Sequence, residues 1–154
     1  MARIALDTNV LAYLAGVDRS IGYAEKVDQA RDILRRLADA ATFIAPVQAL
    51  GELFVVLSRA GTPARDARSI LLEFRHAFEV ADSAATTLDA ALDLVVDHRL
   101  QYWDSLILSA SVDAGATLLL SEDMQDGFVW RGLTVVNPFT RPMHRKLAAI
   151  LPVR

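Results

Sequence analysis

A chain of 154 residues that is 53% hydrophobic and 7% aromatic can bury one sizeable core and does not have the composition of a disordered protein. With no cysteine, disulfides and thiolate metal sites are excluded. No apolar run approaches the roughly 20 residues that span a bilayer, and no basic stretch followed by an apolar segment marks a secretory signal, so a soluble protein of the cytoplasm is expected.

Taken in chain order, apolar strand signals alternate with helical ones. Arg3–Leu6 reads as a short strand ending at Asp7, and Thr8 or Asn9 can cap a short helix toward Leu14. Across Tyr23–Asp39 the apolar residues Val27, Ala30, Ile33, Leu34 and Leu37 recur at helical spacing. Thr42–Ala45 reads as a second strand, and Pro46 suits the first turn of a helix that runs to Ala60 before Gly61. Its core stripe is expected at Ala49, Leu53, Val56 and Ala60. Pro63 opens a further helix through Arg75, and Phe78–Val80 is a third strand. Ala84–Asp97 and Tyr102–Ala114 read as helices, the second closed by Gly115. Thr117–Leu120 and Leu133–Val136 complete the strands, with a last short helix in Pro142–Leu151. All 19 acids lie at or before Asp126, whereas Arg131, Arg141, Arg145, Lys146 and Arg154 follow it unaccompanied by any acid. An acidic body with a basic C-terminal edge results, either solvated or in contact with phosphate.

Short apolar strands separated by helices point to a parallel sheet covered on both faces. Ligands of such sheets bind beyond the carboxyl ends of the strands, which turns scattered acids into a short set. Asp7 follows the first strand directly, where it can cap the next helix or bind a ligand. Glu52 borders the apolar stripe of its helix, with no basic residue on that helix before Arg59. A half-buried carboxylate without a cation nearby is costly, so a ligand role is favoured. Asp104 follows Tyr102-Trp103 in a first helical turn, where capping alone accounts for it. Asp123 sits beside Ser121 in the loop after Leu120, and the sequence leaves open whether Asp123 or Asp126 points inward. Four converging acids need a counter-cation, and oxygen donors suit Mg²⁺ or Mn²⁺ better than zinc. His76, His98 and His144 are dispersed and read as surface or structural residues.

Four segments in order, Ile4-Ala5-Leu6-Asp7-Thr8-Asn9, Leu50-Gly51-Glu52-Leu53, Tyr102-Trp103-Asp104-Ser105-Leu106-Ile107 and Leu120-Ser121-Glu122-Asp123-Met124-Gln125-Asp126-Gly127, make the chain resemble the PIN-domain nucleases. Its size resembles the bacterial VapC-type toxins. The resemblance implies a three-layer α/β/α fold around a parallel sheet of four to five short strands, and an endoribonuclease dependent on Mg²⁺ or Mn²⁺. By position, Asp7, Glu52, Asp104 and Asp123 are the implied catalytic and metal-binding acids, supported by Asn9, Ser121 and Asp126. The implied partners are RNA, a cognate antitoxin and a second copy of the chain, with Arg131 a candidate phosphate contact. The matching pattern spans residues 1–139, and residues 140–154 form a basic extension packed on or tailing from the same domain. A PIN-fold module that binds RNA or protein without cutting is the competing reading. A haloacid-dehalogenase-like phosphatase is disfavoured because Asn9 stands where its second acid belongs, and a receiver domain because Lys26 and Lys146 follow no suitable strand.

Overall fold

The computed structural model describes residues 1–18 and 21–153, so the Arg154 end of the basic segment lies outside the described residues. Six strands form one sheet: β1 (Ala2–Leu6), β2 (Ala41–Pro46), β3 (Glu79–Ala81), β4 (Leu118–Leu120), β5 (Val129–Trp130) and β6 (Leu133–Val136). Their order is β3-β2-β1-β4-β6-β5, parallel throughout except for β5 against β6. The helices are α1 (Thr8–Leu14), α2 (Tyr23–Leu37), α3 (Val47–Arg59), α4 (Ala64–Ala77), α5 (Ala85–His98), α6 (Tyr102–Asp113) and α7 (Arg145–Ala148). The three-layer α/β/α architecture expected from the sequence is present, with its sheet mostly instead of wholly parallel.

Ile4, Ala5, Leu6, Leu119, Leu120, Val135 and Val136 are fully buried, as central strands covered on both faces must be. The chain winds one way from β1 to β2 and β3 and the other way to β4 and β6, so the order reverses between β1 and β4. Adjacent strand ends splay their connections apart at such a reversal and leave a crevice. Asp7 and Ser121 both lie there, because Leu6 and Leu120 are paired across the two strands and the Asp7 amide donates to the Leu120 carbonyl at 3.0 Å.

Three differences from the sequence expectation have physical causes. The strand β5 is additional, two residues too short to show any alternation, and it turns into β6 through Arg131 and Gly132. Both hold positive φ (47° and 82°), the backbone that tight hairpins favour. On α3 the buried stripe is Ala49, Leu50, Leu53 and Leu57, not the sequence-read Ala49, Leu53, Val56 and Ala60. The helix packs against both α1 and α4, and that rotation buries two leucines while leaving Ala60 exposed and Val56 half-buried. The cap of α1 is not Thr8 or Asn9 but Asp7, the other capping residue the sequence allowed, whose side chain accepts from the Thr8 amide.

The C-terminal segment is fastened to the sheet. Leu147 of α7 is fully buried, with Met143, Ile150 and Leu151 packed on the same core. Lys146 Nζ donates to Thr134 Oγ1 of β6 at 2.6 Å. Among the described residues no helix is long and apolar enough to cross a membrane. Leu147→Ala is expected to cost about 2–5 kcal/mol of unfolding free energy, read from urea melts, since it opens a cavity under α7. A cost below about 1 kcal/mol would show this segment to be an appendage and not part of the core.

Candidate active site

The crevice at the carboxyl ends of β1 and β4 is a cleft of about 430 Å³ lined by Asp7, Thr8, Asn9, Glu52, Val55, Val56, Arg59, Trp103, Asp104 and Asp123. Its four acids arrive on four separate segments: the end of β1, the middle of α3, the first turn of α6 and the loop after β4. Asp7 is only 3% exposed. Its Oδ1 accepts from the Thr8 amide at 2.7 Å, and its Oδ2 from Ser121 Oγ at 2.7 Å and Asn9 Nδ2 at 3.2 Å. Burial nonetheless pushes the Asp7 carboxyl up to about 6, with Asp104 and Asp123 adding repulsion and the Ser121 and Thr8 hydrogen bonds opposing the shift. The Asp104 carboxyl is also raised, first by burial and then by the charges of Glu52 and Asp123.

Asn9 acts as a bracket. Its Nδ2 reaches both Asp7 Oδ2 and Asp123 Oδ2 at 3.2 Å, and its Oδ1 accepts from the Glu122 amide at 3.0 Å. Glu52 is held by Thr8 Oγ1 at 2.7 Å and Gln48 Nε2 at 3.2 Å, so the partners absent from its helix as bases are supplied as neutral donors. The Asp104 amide donates to Gln101 Oε1 at 3.0 Å, which fixes the start of α6 and hence the direction of the Asp104 side chain.

Neighbouring acids have other partners. Glu122 accepts from Tyr13 Oη at 2.7 Å and pairs with Lys26, which turns it toward α2 and away from the cleft. Asp126 accepts from the Asn137 amide at 2.8 Å and does not line the cleft, so the structure brings Asp123 and not Asp126 beside Asp7. Arg131 stacks 4.4 Å from the Trp130 ring and lies 3.9 Å from Asp93, outside the cleft lining. His98 stands edge-on to Phe128, and His144 Nδ1 accepts from the Lys146 amide. Sequence reading gave Arg59 and Trp103 no role, although both line the cleft. For Arg59 a signal existed: it follows Glu52 by seven residues, two turns along the same helix face.

The donor set suits a hard divalent cation, being carboxylate oxygens with a hydroxyl and an amide beside them. Among the described residues, no three acidic or histidine side chains converge closely enough to form a ready-made ligand group. Magnesium tolerates that arrangement, because one or two carboxylates and several waters are its ordinary protein environment.

Comparison with known proteins places this geometry in a family. Residues 4–125 match the family model described as PIN domain. No curated protein matches the sequence. Among solved structures, the chain is similar to the VapBC2 complex of Rickettsia felis bound to a promoter DNA fragment. That match has a TM-score of 0.61 at 21% identity and covers 77% of this chain and 86% of that one. It is similar to VapC20 of Mycobacterium tuberculosis, a toxin that cleaves the sarcin–ricin loop, with a TM-score of 0.59 at 20% identity over 78% and 89% of the two chains. A toxin–antitoxin complex from Klebsiella pneumoniae matches with a TM-score of 0.64 at 18% identity over 88% and 98%. At these identities the likeness is one of fold.

The raised Asp7 carboxyl fixes the sign of a pH effect. An unfolded Asp titrates near 3.9, so between pH 4 and 6 the unfolded chain binds fewer protons than the folded one, and stability falls as pH rises through that window. In EDTA, the unfolding free energy of wild type relative to Asp7→Asn is expected to decline by up to about 3 kcal/mol from pH 4 to pH 7. A difference that stays flat across this range, in urea melts at stepped pH, would contradict a buried, strained Asp7 carboxylate.

Proposed function

The chain belongs to the PIN-domain family, and we propose that it is a divalent-metal-dependent endoribonuclease, the toxin of a bacterial toxin–antitoxin module working in the cytoplasm. The observation that carries this reading is the convergence of Asp7, Glu52, Asp104 and Asp123 on one cleft from four separate segments. Asp7 caps α1 and Asp104 suits the first turn of α6, but no such local need brings Glu52 and Asp123 to the same cleft. Burial first, and after it the charges of the neighbouring acids, raise the Asp7 and Asp104 carboxyls, and a bound cation relieves both costs.

In this reading the cleft of Asp7, Glu52, Asp104 and Asp123 would hold Mg²⁺ or Mn²⁺ through one or two of its carboxylates directly and the others through bound water. Such an ion, when bound, supplies positive charge that activates a water and stabilises the leaving oxygen of a phosphodiester. The chain's own residues keep the acids in place. Ser121 and Asn9 fix both sides of Asp7 Oδ2, and Asn9 ties Asp123 to it. Thr8 and Gln48 each hold one oxygen of Glu52, so that carboxylate keeps its orientation without a cation of its own. The complexes among the similar structures support an antitoxin as partner, and the toxin that cleaves the sarcin–ricin loop supports RNA as substrate. A homodimer is part of the same reading.

Cleavage of RNA by the purified chain is expected to require added Mg²⁺ or Mn²⁺ and to stop in EDTA. Asn9→Ala and Ser121→Ala are expected to lose about 10–100-fold, the usual cost of removing a group that orients a ligand, and Asp7→Asn more than either. A folded Asp7→Asn that cuts at the wild-type rate would overturn the carboxylate mechanism. For the toxin assignment, induced expression should arrest growth, and the product of an adjacent short gene should relieve the arrest. Unaffected growth counts against it.

A further inference from the structure

Trp103 is 48% exposed, although it belongs to a helix that buries every residue from Ser105 to Ala110. A large aromatic left in solvent is informative when it borders a site, and Trp103 lines the acidic cleft directly beside Asp104. Its indole is braced from the side, because the Tyr102 ring meets it edge-on at 4.8 Å between centroids. A half-exposed, braced indole therefore stands at the rim of the carboxylate cluster.

To the same cleft α3 contributes Arg59. It is exposed, it is the only cation among the described lining residues, and no carboxylate among the described residues is within ion-pair distance of it. Four acids repel a polyanion, so any nucleic acid entering here needs a compensating cation at the rim. Arg59 offers one in planar form, suited to two phosphate oxygens.

We infer that Trp103 and Arg59 form a subsite for unpaired RNA, in which one base stacks on the Trp103 indole and a neighbouring phosphate pairs with the Arg59 guanidinium. The inference rests on the ribonuclease reading above and adds to it the two residues that seat the RNA at the rim of the cleft. In an A-form duplex the bases are already stacked on one another, and only a loop, bulge or single strand can present a free face. At about 430 Å³ the cleft has the size of a small-ligand pocket, the scale of an unstacked nucleotide. Burial against a protein partner fits less well. Only Val55 and Val56 among the lining residues extend an apolar surface around Trp103, whereas a protein anchor is ringed by packing that excludes water.

The chain has two tryptophans, so a Trp130→Phe background makes Trp103 the single reporter. Adding Asp7→Asn stops turnover in that background while RNA is titrated. An unstructured oligoribonucleotide should quench the Trp103 emission, and a perfect duplex of the same sequence should not. Trp103→Ala should weaken binding of the single strand by about 5–150-fold, with most of it restored in Trp103→Phe. Arg59→Ala should weaken binding across all sequences and lower the salt dependence by about one counterion, which a purely structural role would not do. Unchanged emission, or Trp103→Ala binding as tightly as its parent, overturns the subsite. So does emission that is already shielded and varies with protein concentration, the mark of a second copy seated there. If wild type cuts RNA and Trp103→Ala binds as its parent does, the subsite falls and the nuclease stands. Stacking by a wild type that never cuts leaves the subsite standing and removes the nuclease.

Discussion

A carboxylate that is almost wholly out of water must find its hydrogen bonds inside the protein, and Asp7 finds them on two different segments. The Thr8 amide and the Asn9 side chain come from the first turn of α1, and the Ser121 hydroxyl from the loop that leaves β4. These donors meet only if β1 and β4 stay in the register that pairs Leu6 with Leu120. A slip of one residue would send Asp7 to the opposite face of the sheet and leave a buried charge without partners. The same side chain caps α1 and so sets the path of the chain from the sheet into its first helix. Fold and site are thus held by one set of bonds.

The loop after β4 shows how adjacent acids are given different work. Glu122 is neutralised by Lys26 and Tyr13 on one side, while Asp123 is held on the other by a single amide hydrogen bond from Asn9. Ser121 closes the arrangement from within, donating to Asp7 and accepting from the Met124 amide at 3.2 Å. Three consecutive residues therefore serve three ends: a brace, an anchor to α2 and a free carboxylate at the cleft. The cleft keeps its repulsion because Lys26 is spent on Glu122 and Arg59, at the rim, forms no ion pair with any of the four acids among the described residues. Such concentration of like charge is a common stability cost of functional sites.

What could be read from the sequence follows from which forces act locally. The helix α2 was legible because only one face is buried, and Val27, Ala30, Ile33 and Leu37 keep helical spacing. The strand ends were legible because apolar runs stop abruptly at Asp7 and Ser121. The stripe on α3 was misjudged, since two neighbouring helices decide which of its many apolar residues turn inward. Nor could spacing separate Asp123 from Asp126, for the Asn137 amide that occupies Asp126 lies eleven residues on in sequence. Two residues of strand leave no periodic trace, so β5 was invisible except for the Arg131–Gly132 turn. Trp103 stood inside a quoted motif, but its exposure depends on how α6 docks, and that is a tertiary fact.

The sheet ends in very short strands. The outer positions belong to β3, with three residues, and β5, with two. An incoming strand from another molecule would gain few ladder hydrogen bonds at either side, so the sheet offers a poor template for runaway growth into fibres. The longer strands, with their continuous apolar runs, are locked in the interior, and β3 and β5 act as selvedges that keep the fabric from unravelling into its neighbours. A chain built this way is guarded against strand-by-strand association, and a partner gains more contact on its helices and loops than on the sheet edges.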